Sequence, residues 1–372
     1  MLEDVTVLEL GSNISAPLVG QILSEYGANV IKVEPPDGDD RRKVKPEIDG
    51  ISVYFASVNK GKKSVVINLK TEKGLEIFYR LASKAQVIVT NYRPSALKRL
   101  KVDYESVLRV NPKIIYCSIT GFGHFSPMAN LPAYDTIILS LSGLLDMTGE
   151  ENPVKFATSI SDITTALLAT TAILASLHRG GPIFLDVPML STQFYLTLED
   201  IYMMLNLGVV PKRTGSEHRY LVPYKAFKAK DGYIYVAVFT DEQYFKLCNA
   251  LGRQDLLKFR TLEDRVKNRD YINSELEKIF MTREREYWVK LLTDADVPVA
   301  PVLNLKEAFD RYGKELEVRF RNLSYIKFPI KSINGAKSGA PKLGENTLEV
   351  LASLGYSKEE IENLKKEGVV YY

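Results

Sequence analysis

The sequence predicts an α/β protein with a mostly parallel sheet in a large domain and a smaller α+β domain beside it. Three observations carry this. Short β-rich runs alternate with helical patterns through the first third of the chain, the texture of a sheet wound with right-handed crossovers. Near residue 200 the pattern changes to paired strands flanking Lys230-Asp231-Gly232, an antiparallel hairpin signal. Two helical patterns close the chain and return to the first domain. The predicted domains are residues 1–200 with 325–372, and residues 201–324.

In order, VTVLEL at 5–10 is the first strand, and Gly11-Ser12-Asn13 leads into a helical pattern that ends at Gly27. ANVIKVE at 28–34 is the second strand, stopped by Pro35-Pro36. This βαβ unit lacks G-x-G-x-x-G, so a dinucleotide is not expected even though Glu34 closes the second strand. SVVINL at 64–69, the run at 86–90 and KIIYCSI at 113–119 are further strands, separated by helices at 71–82, with Thr71 as cap, and within 95–110. Ligands on such sheets gather at the carboxyl ends of the strands, which places residues 12–16, 91–93 and 121–123 together. In the second domain, strands at 224–229 and 233–238 precede helical patterns at 241–251, 271–280 and 283–294. The closing helices fall near 347–354 and 358–366.

Composition narrows the class. The 372 residues are 45% hydrophobic and 26% charged, with a net charge of +3, ordinary values for a soluble globular protein without a general nucleic-acid surface. Basic clusters at 41–45 and 60–63 read as solvated loops that could still hold a phosphorylated ligand. Cys117 and Cys248 lie far apart, and His124, His178 and His218 form no ligand pattern. A reduced, cytoplasmic protein with no metal is expected, and no secretory signal is read at the N-terminus.

FATSISDITTALLATTAILASLHRGGPIFLDVPML at 156–190 is the stretch that carries chemistry. Thr158, Ser159 and Ser161 surround one carboxylate, Asp162, ahead of an uncharged run at 163–177 that is too short for a bilayer span. The run reads as a helix buried nearly all round, with Asp162 at its mouth, where amide donors and the dipole favour an anion. Aspartate is also among the best N-cap residues, so locally Asp162 is either a cap or a functional anion.

Eight ordered signatures resemble the class III CoA-transferases, the family of formyl-CoA transferase, carnitine CoA-transferase and α-methylacyl-CoA racemase. They are VLELGSNISAP followed by EYGANVIKVEPPDGD, NKGKKSVVINLK, VTNYRPSALKRL, NPKIIYCSITGFG, AYDTIILSLSGLLDMTG, the Asp162 helix, VPVAPVLNLKEA and LGENTLEVLASLG. The resemblance covers nearly the whole chain. It implies a Rossmann-like sheet in the large domain and an interlocked homodimer. It also implies acyl-CoA and a small carboxylic acid as substrates, with no nicotinamide or flavin.

By that resemblance Ser15 and Ala16 approach the thioester end of CoA and are candidate oxyanion donors, and Asn68 and Lys70 line the nucleotide groove. Asn91, Tyr92, Arg99 and Asp135 serve the same molecule, Arg99 as a phosphate contact. Asn91 could otherwise cap the helix before Pro94, and Arg99 could be a solvated helix residue. In the transferases the aspartate matching Asp162 attacks the thioester and carries CoA as an aspartyl thioester. The helix terminus is expected to hold Asp162 ionised. In the racemase the matching aspartate works with a histidine in a G-H-D sequence, and this chain reads Ala133-Tyr134-Asp135 there. A phenol is a poor base near neutrality, so Tyr134 favours transfer over the alternative, a 2-methylacyl-CoA epimerase by α-proton exchange. A CoA-binding protein without turnover is a third reading, in which Asp162 only caps.

Glu242, near an acid used by racemases, reads as a first-turn helix acid. The glycine tetrad that covers the site of formyl-CoA transferase is missing here, where residues 213–224 stand instead, so oxalate specificity is not expected. His218 and Arg219 in that stretch read as loop decoration or as contacts for an acceptor carboxylate.

Overall fold

The computed structural model describes residues 1–372. It divides into two compact units, one made of Met1–Leu145, Phe156–Val210 and Leu316–Tyr372, the other of Asp146–Lys155 and Pro211–Glu315. The segment Asp146–Lys155 groups with the second unit, although in sequence it lies far from the boundary read near residue 200.

The first unit is built on β1 (Thr6–Leu10), β2 (Asn29–Glu34), β3 (Lys63–Ile67), β4 (Val87–Thr90), β5 (Ile115–Thr120) and β6 (Ile183–Pro188). The strand order is β3-β2-β1-β4-β5-β6, all parallel, and Val370–Tyr371 adds an antiparallel seventh strand beside β3. Every strand expected here is present, within one or two residues at its ends. Side chains alternate between two cores. Leu8, Leu10, Ile31, Ile88 and Tyr116 face one, while Val7, Val30, Val87, Val89 and Cys117 face the other. Burial on both faces explains why these strands read as continuous apolar runs rather than as alternating ones. Each fully buried Leu or Val adds about 1.5–3 kcal/mol.

Helix α1 (Ser15–Glu25) and α2 (Glu72–Ala82) cover opposite faces, through Ala16, Val19 and Leu23 on one side and Ile77, Phe78 and Leu81 on the other. Thr71 caps α2 by accepting from the Gly74 amide. The single helix expected within 95–110 is two. α3 (Pro94–Leu100) stops at Lys101, which takes a left-handed φ of 58°, and Tyr104–Leu108 restarts behind an Asp103 cap. The closing helices Thr347–Ser353 and Lys358–Lys366 pack Val350, Leu351, Ile361 and Leu364 onto the α2 face.

After α4 (Asp135–Leu141), α5 (Ile160–Arg179) lies beside α1, where Ala166 and Ala169 allow close approach and Ile173 is fully buried. Two expectations for α5 are corrected. Its apolar stretch does not stop short of a bilayer span: the helix has 20 residues and is long and apolar enough to cross a membrane by length and composition. It sits instead on the sheet. Nor is it buried all round, since Leu167 and Leu168 are 51% and 38% exposed.

In the second unit, strands Tyr224–Ala229 and Gly232–Ala237 form the expected hairpin, with Gly232 paired to Ala229 across the Lys230-Asp231 turn. Val299–Val302 joins the second strand as an edge, where Pro301 is tolerated. Helices Asp241–Ala250, Arg269–Phe280 and Arg285–Asp294 cover this sheet around Phe227, Ile234, Tyr244, Phe280 and Trp288. Glu242 is a first-turn acid of its helix and pairs with Lys246 at 2.8 Å. Cys117 and Cys248 are both buried and unpaired, and burial pushes their thiols up to about 12 and about 11.

Candidate active site

The carboxyl ends of β1, β4 and β5 open into a cavity of about 430 Å³, in the size range of small-ligand sites. Ser12, Asn13 and Ser15 line it from the first loop, Asn91, Tyr92 and Arg99 from the loop after β4 and from α3, and Thr120 and Gly121 from the end of β5. Tyr134 and Asp162 complete the wall.

The first loop is fixed from two sides. Asn91 accepts from the Ser12 amide at 3.0 Å and donates to the Ser12 carbonyl at 2.7 Å and to Ser15 Oγ at 3.1 Å. It therefore pins the loop and does not cap α3, whose N-cap residue is Arg93. Gly11 is needed here because a Cβ would stand 2.8 Å from Ala16 Cβ and 3.1 Å from Asn91 Oδ1. From below, Lys32 donates to the Gly11 carbonyl at 2.8 Å while paired with Glu9 at 2.7 Å and Asp39 at 2.9 Å. Asp39 in turn accepts from the amides of Asn13 at 3.4 Å and Arg41 at 2.9 Å. Burial opposes charge on Lys32, but Glu9, Asp39 and Glu34 outweigh it and hold the ammonium above its ordinary range. Lys62, which holds the other Glu9 oxygen at 2.6 Å, is brought down to about 8 by burial that Glu9 only partly offsets. Glu34 is occupied by a two-pronged Arg42 contact, 2.7 Å at each end, and by Ser64 at 2.6 Å. It is not open to a ribose.

Ser15 and Ala16 are the first two residues of α1, so their N–H groups have no intrahelical acceptor. Ser15 is buried beside Asp162, whereas the Ala16 side chain lies in the core. Any contact from Ala16 to a ligand is through its backbone.

Asp162 is the third residue of α5 and does not cap it. The capping acceptor comes from another helix: Asp135 Oδ1 takes the amides of Ser161 at 2.7 Å and Asp162 at 3.3 Å. The effect of the helix end on Asp162 is opposed by its surroundings. Burial, then the Asp135 charge, pushes the Asp162 carboxyl up to about 7, against weaker opposition from the Ser15 hydroxyl and the Arg41 charge. An aspartate so placed keeps its lone pairs for a reaction and is more basic than a surface carboxylate.

The remaining candidates divide. Tyr134 lines the cavity and is 66% exposed. Tyr92 is half-buried in the cavity wall, and burial raises its phenol to about 12. Arg99 stands exposed on the rim, in the last turn of α3. Asp135 is 7% exposed and its Oδ1 is committed to the α5 amides. Asn68 and Lys70 are outside the cavity wall, and the Asn68 side chain bonds the Gly368 carbonyl at 3.4 Å and the Lys70 amide at 3.2 Å. His218 accepts from the Tyr220 amide at 3.1 Å, and Arg219 donates to the Lys212 and Met147 carbonyls at 3.1 and 3.2 Å. Both are used within the second unit. Asp40, in the turn after β2, lines the cavity without having been singled out from the sequence. The acids at 37–40 run straight into the basic cluster at 41–45, a composition typical of a solvated turn.

Residues 2–347 match the family described as CoA-transferase family III. The chain belongs to the family III CoA-transferases. It is 35% identical to the human succinyl-CoA:glutarate CoA-transferase, over 99% of this chain and 90% of that protein. It is 32% identical to the acetyl-CoA:oxalate CoA-transferase of Acetobacter aceti, over 92% of this chain and 93% of that one. The crystal structure of a CAIB/BAIF family protein from Brucella suis superposes with a TM-score of 0.85 at 32% identity, covering 94% of this chain and 98% of the other. This CoA-transferase is thus an enzyme of acyl-CoA chemistry, and the parallel sheet follows the architecture of its relatives.

Proposed function

We propose that this CoA-transferase moves CoA from an acyl-CoA to a free carboxylic acid through an aspartyl-CoA thioester on Asp162. The observation that carries the reading is the Asp162 carboxylate, free of any capping duty and facing the cavity beside Ser15. In the first step a carboxylate oxygen of Asp162 attacks the thioester carbonyl and expels CoA thiolate, leaving an acyl–aspartyl anhydride. The thiolate attacks the aspartyl carbonyl, releasing the donor acid as its carboxylate and leaving Asp162 as the CoA thioester. The acceptor carboxylate attacks that thioester and expels the thiolate, which attacks the acceptor's carbonyl in the second anhydride. Acyl-CoA leaves and the Asp162 carboxylate is restored, with no net proton change. Negative charge develops on a carbonyl oxygen at each step, and the Ser15 and Ala16 amides at the α1 terminus are the donors placed for it. Arg99 on the rim serves a CoA phosphate, and Asn91 and Tyr92 shape the groove for its arm.

The same reading includes a homodimer. Helix α6 (Glu199–Leu207) buries none of its residues within one chain, and Tyr202, Leu205 and Leu207 are 67%, 71% and 66% exposed. Together with Leu167 and Leu168 they support a second copy as the cover. The two buried, unpaired cysteines support a reducing, cytoplasmic setting.

A carboxyl near neutrality also suits proton transfer, which keeps 2-methylacyl-CoA epimerisation as the second reading. Both are tested by incubating the enzyme in heavy water with a 2-methylacyl-CoA and a free acid. Transfer is expected to place CoA on the acid with no deuterium at the α-carbon. Deuterium entry without a new acyl-CoA would hand the site to the epimerase.

A further inference from the structure

The turn after β5 is fastened by residues outside the cavity wall. Thr120 and Gly121 belong to that wall. Just beyond them Gly123 takes a left-handed φ of 90°, and its amide donates to Thr120 Oγ1 at 2.8 Å. His124 then folds back onto the sheet. Its Nε2 lies 2.7 Å from Ser118 Oγ, its backbone amide donates to Asp186 Oδ2 at 2.9 Å, and its ring meets Phe184 edge-on at 4.9 Å. Ser118 and Asp186 are register partners on β5 and β6, so one residue clasps two strands. Glycine is needed at the bend, because a Cβ on Gly123 would stand 3.3 Å from Asp186 Oδ2 and 3.2 Å from Pro188 Cγ.

Two features separate this clasp from ordinary packing. Ser118 is fully buried, and Phe184, which the His124 ring meets, itself packs on Tyr104 and Tyr116 at 5.3 and 6.1 Å. An apolar ring would fill that place with no polar group to satisfy. The second feature is Asp186 Oδ1, which is buried without a hydrogen-bond partner and so destabilises the fold. A cluster kept for stability alone would not include it.

The clasped turn braces the site on two sides. The Gly121 carbonyl accepts from the Leu190 amide at 3.0 Å, next to Met189 on the cavity wall. Gly121 also abuts Ala133, since a Cβ on Gly121 would stand 2.2 Å from the Ala133 Cβ. After Ala133 come Tyr134, on the cavity wall, and Asp135, whose Oδ1 holds the Asp162 amide at 3.3 Å. Contacts thus run without a gap from His124 through Gly121 and Ala133 to the helix end that carries Asp162.

We propose that His124 is a positioning residue for transfer: through Ser118 it locks the turn after β5, and with it the Ala133–Asp135 stretch that sets Asp162. The proposal rests on the transferase reading above and adds to it a residue outside the cavity. Attack by a carboxylate tolerates little misplacement, so a loosened turn slows chemistry more than it weakens binding.

The test measures kcat and KM for acyl-CoA and for an acceptor acid, with thermal midpoints alongside. The variants are Ser118→Ala, His124→Ala, the two combined, and His124→Gln, whose carboxamide keeps a hydrogen-bonding group near Ser118. Each single alanine variant should lower kcat at least tenfold and leave KM for acyl-CoA within about threefold. The double variant should be no slower than the slower single one, since both break the same bond. His124→Gln should recover most of the rate. A lowered thermal midpoint with kcat within about twofold would make the clasp merely structural and overturn the proposal. Multiplied losses in the double variant, a raised KM at unchanged kcat, or no recovery in His124→Gln would overturn it too. Those results leave transfer through Asp162 standing. Absence of transfer to any acid by the wild type would instead remove the reading on which the proposal rests.

Discussion

Asp135 and Asp162 share the mouth of one helix: a single Asp135 oxygen accepts from the Asp162 amide at 3.3 Å and from the Ser161 amide at 2.7 Å. One carboxylate does the capping and the other is left to react. The capping charge also raises the basicity of its neighbour, so the two roles are electrostatically linked.

Asp162→Ala is expected to abolish transfer while leaving CoA binding within about threefold, because the amides and arginines on the cavity wall remain. Steady-state assays with titration of free CoA check this. Transfer at the wild-type rate would remove Asp162 from the mechanism.

The nucleophile must be ionised, and its carboxyl lies at about 7 through burial and the Asp135 charge, with Ser15 and Arg41 opposing. Transfer at low acceptor concentration should therefore rise about tenfold per pH unit below neutrality and level off above it. Asp135→Asn keeps an acceptor oxygen for the two amides but removes the charge, so the inflection should move to lower pH. A profile flat from pH 5.5 to 8.5 in the wild type would contradict this.

The same shift has a stability consequence. Between its unfolded value near 3.8 and about 7 the folded protein keeps a proton on Asp162 that the unfolded chain has lost, so stability falls as pH rises through that window. Asp162→Asn should accordingly stabilise the protein at pH 8, by an amount on the order of a few kcal/mol, and much less near pH 4. Urea unfolding at the two pH values checks the sign.

Lys32→Met should be severely destabilising, by about 3–5 kcal/mol, because it leaves Glu9 and Asp39 facing each other with a buried charge unmatched. Wild-type unfolding midpoints in this variant would show that the buried network contributes little.

The strands of the large sheet were readable because burial on both faces writes them as apolar runs between glycines and prolines. Val299–Val302 was not read as a strand: its Pro301 argues against one, and only its edge position removes the objection. The break at Lys101 was hidden because the apolar spacing continues through a residue whose left-handed φ no periodicity reports. At the site, Asp162, Tyr134, Asn91 and Arg99 came from ordered motifs and do share one cavity. That Asp135 caps α5, and that His124 joins Ser118 to Asp186, depend on groups far apart in sequence. Neither leaves a local pattern.

The most direct measurement of the central claim is mass spectrometry of the Asp162 peptide after the enzyme is incubated with an acyl-CoA and quenched with hydroxylamine. A hydroxamate on Asp162, present only when acyl-CoA is supplied and absent from Asp162→Asn, is the expected result. An unmodified Asp162 in an enzyme that is turning over would contradict covalent transfer through this residue.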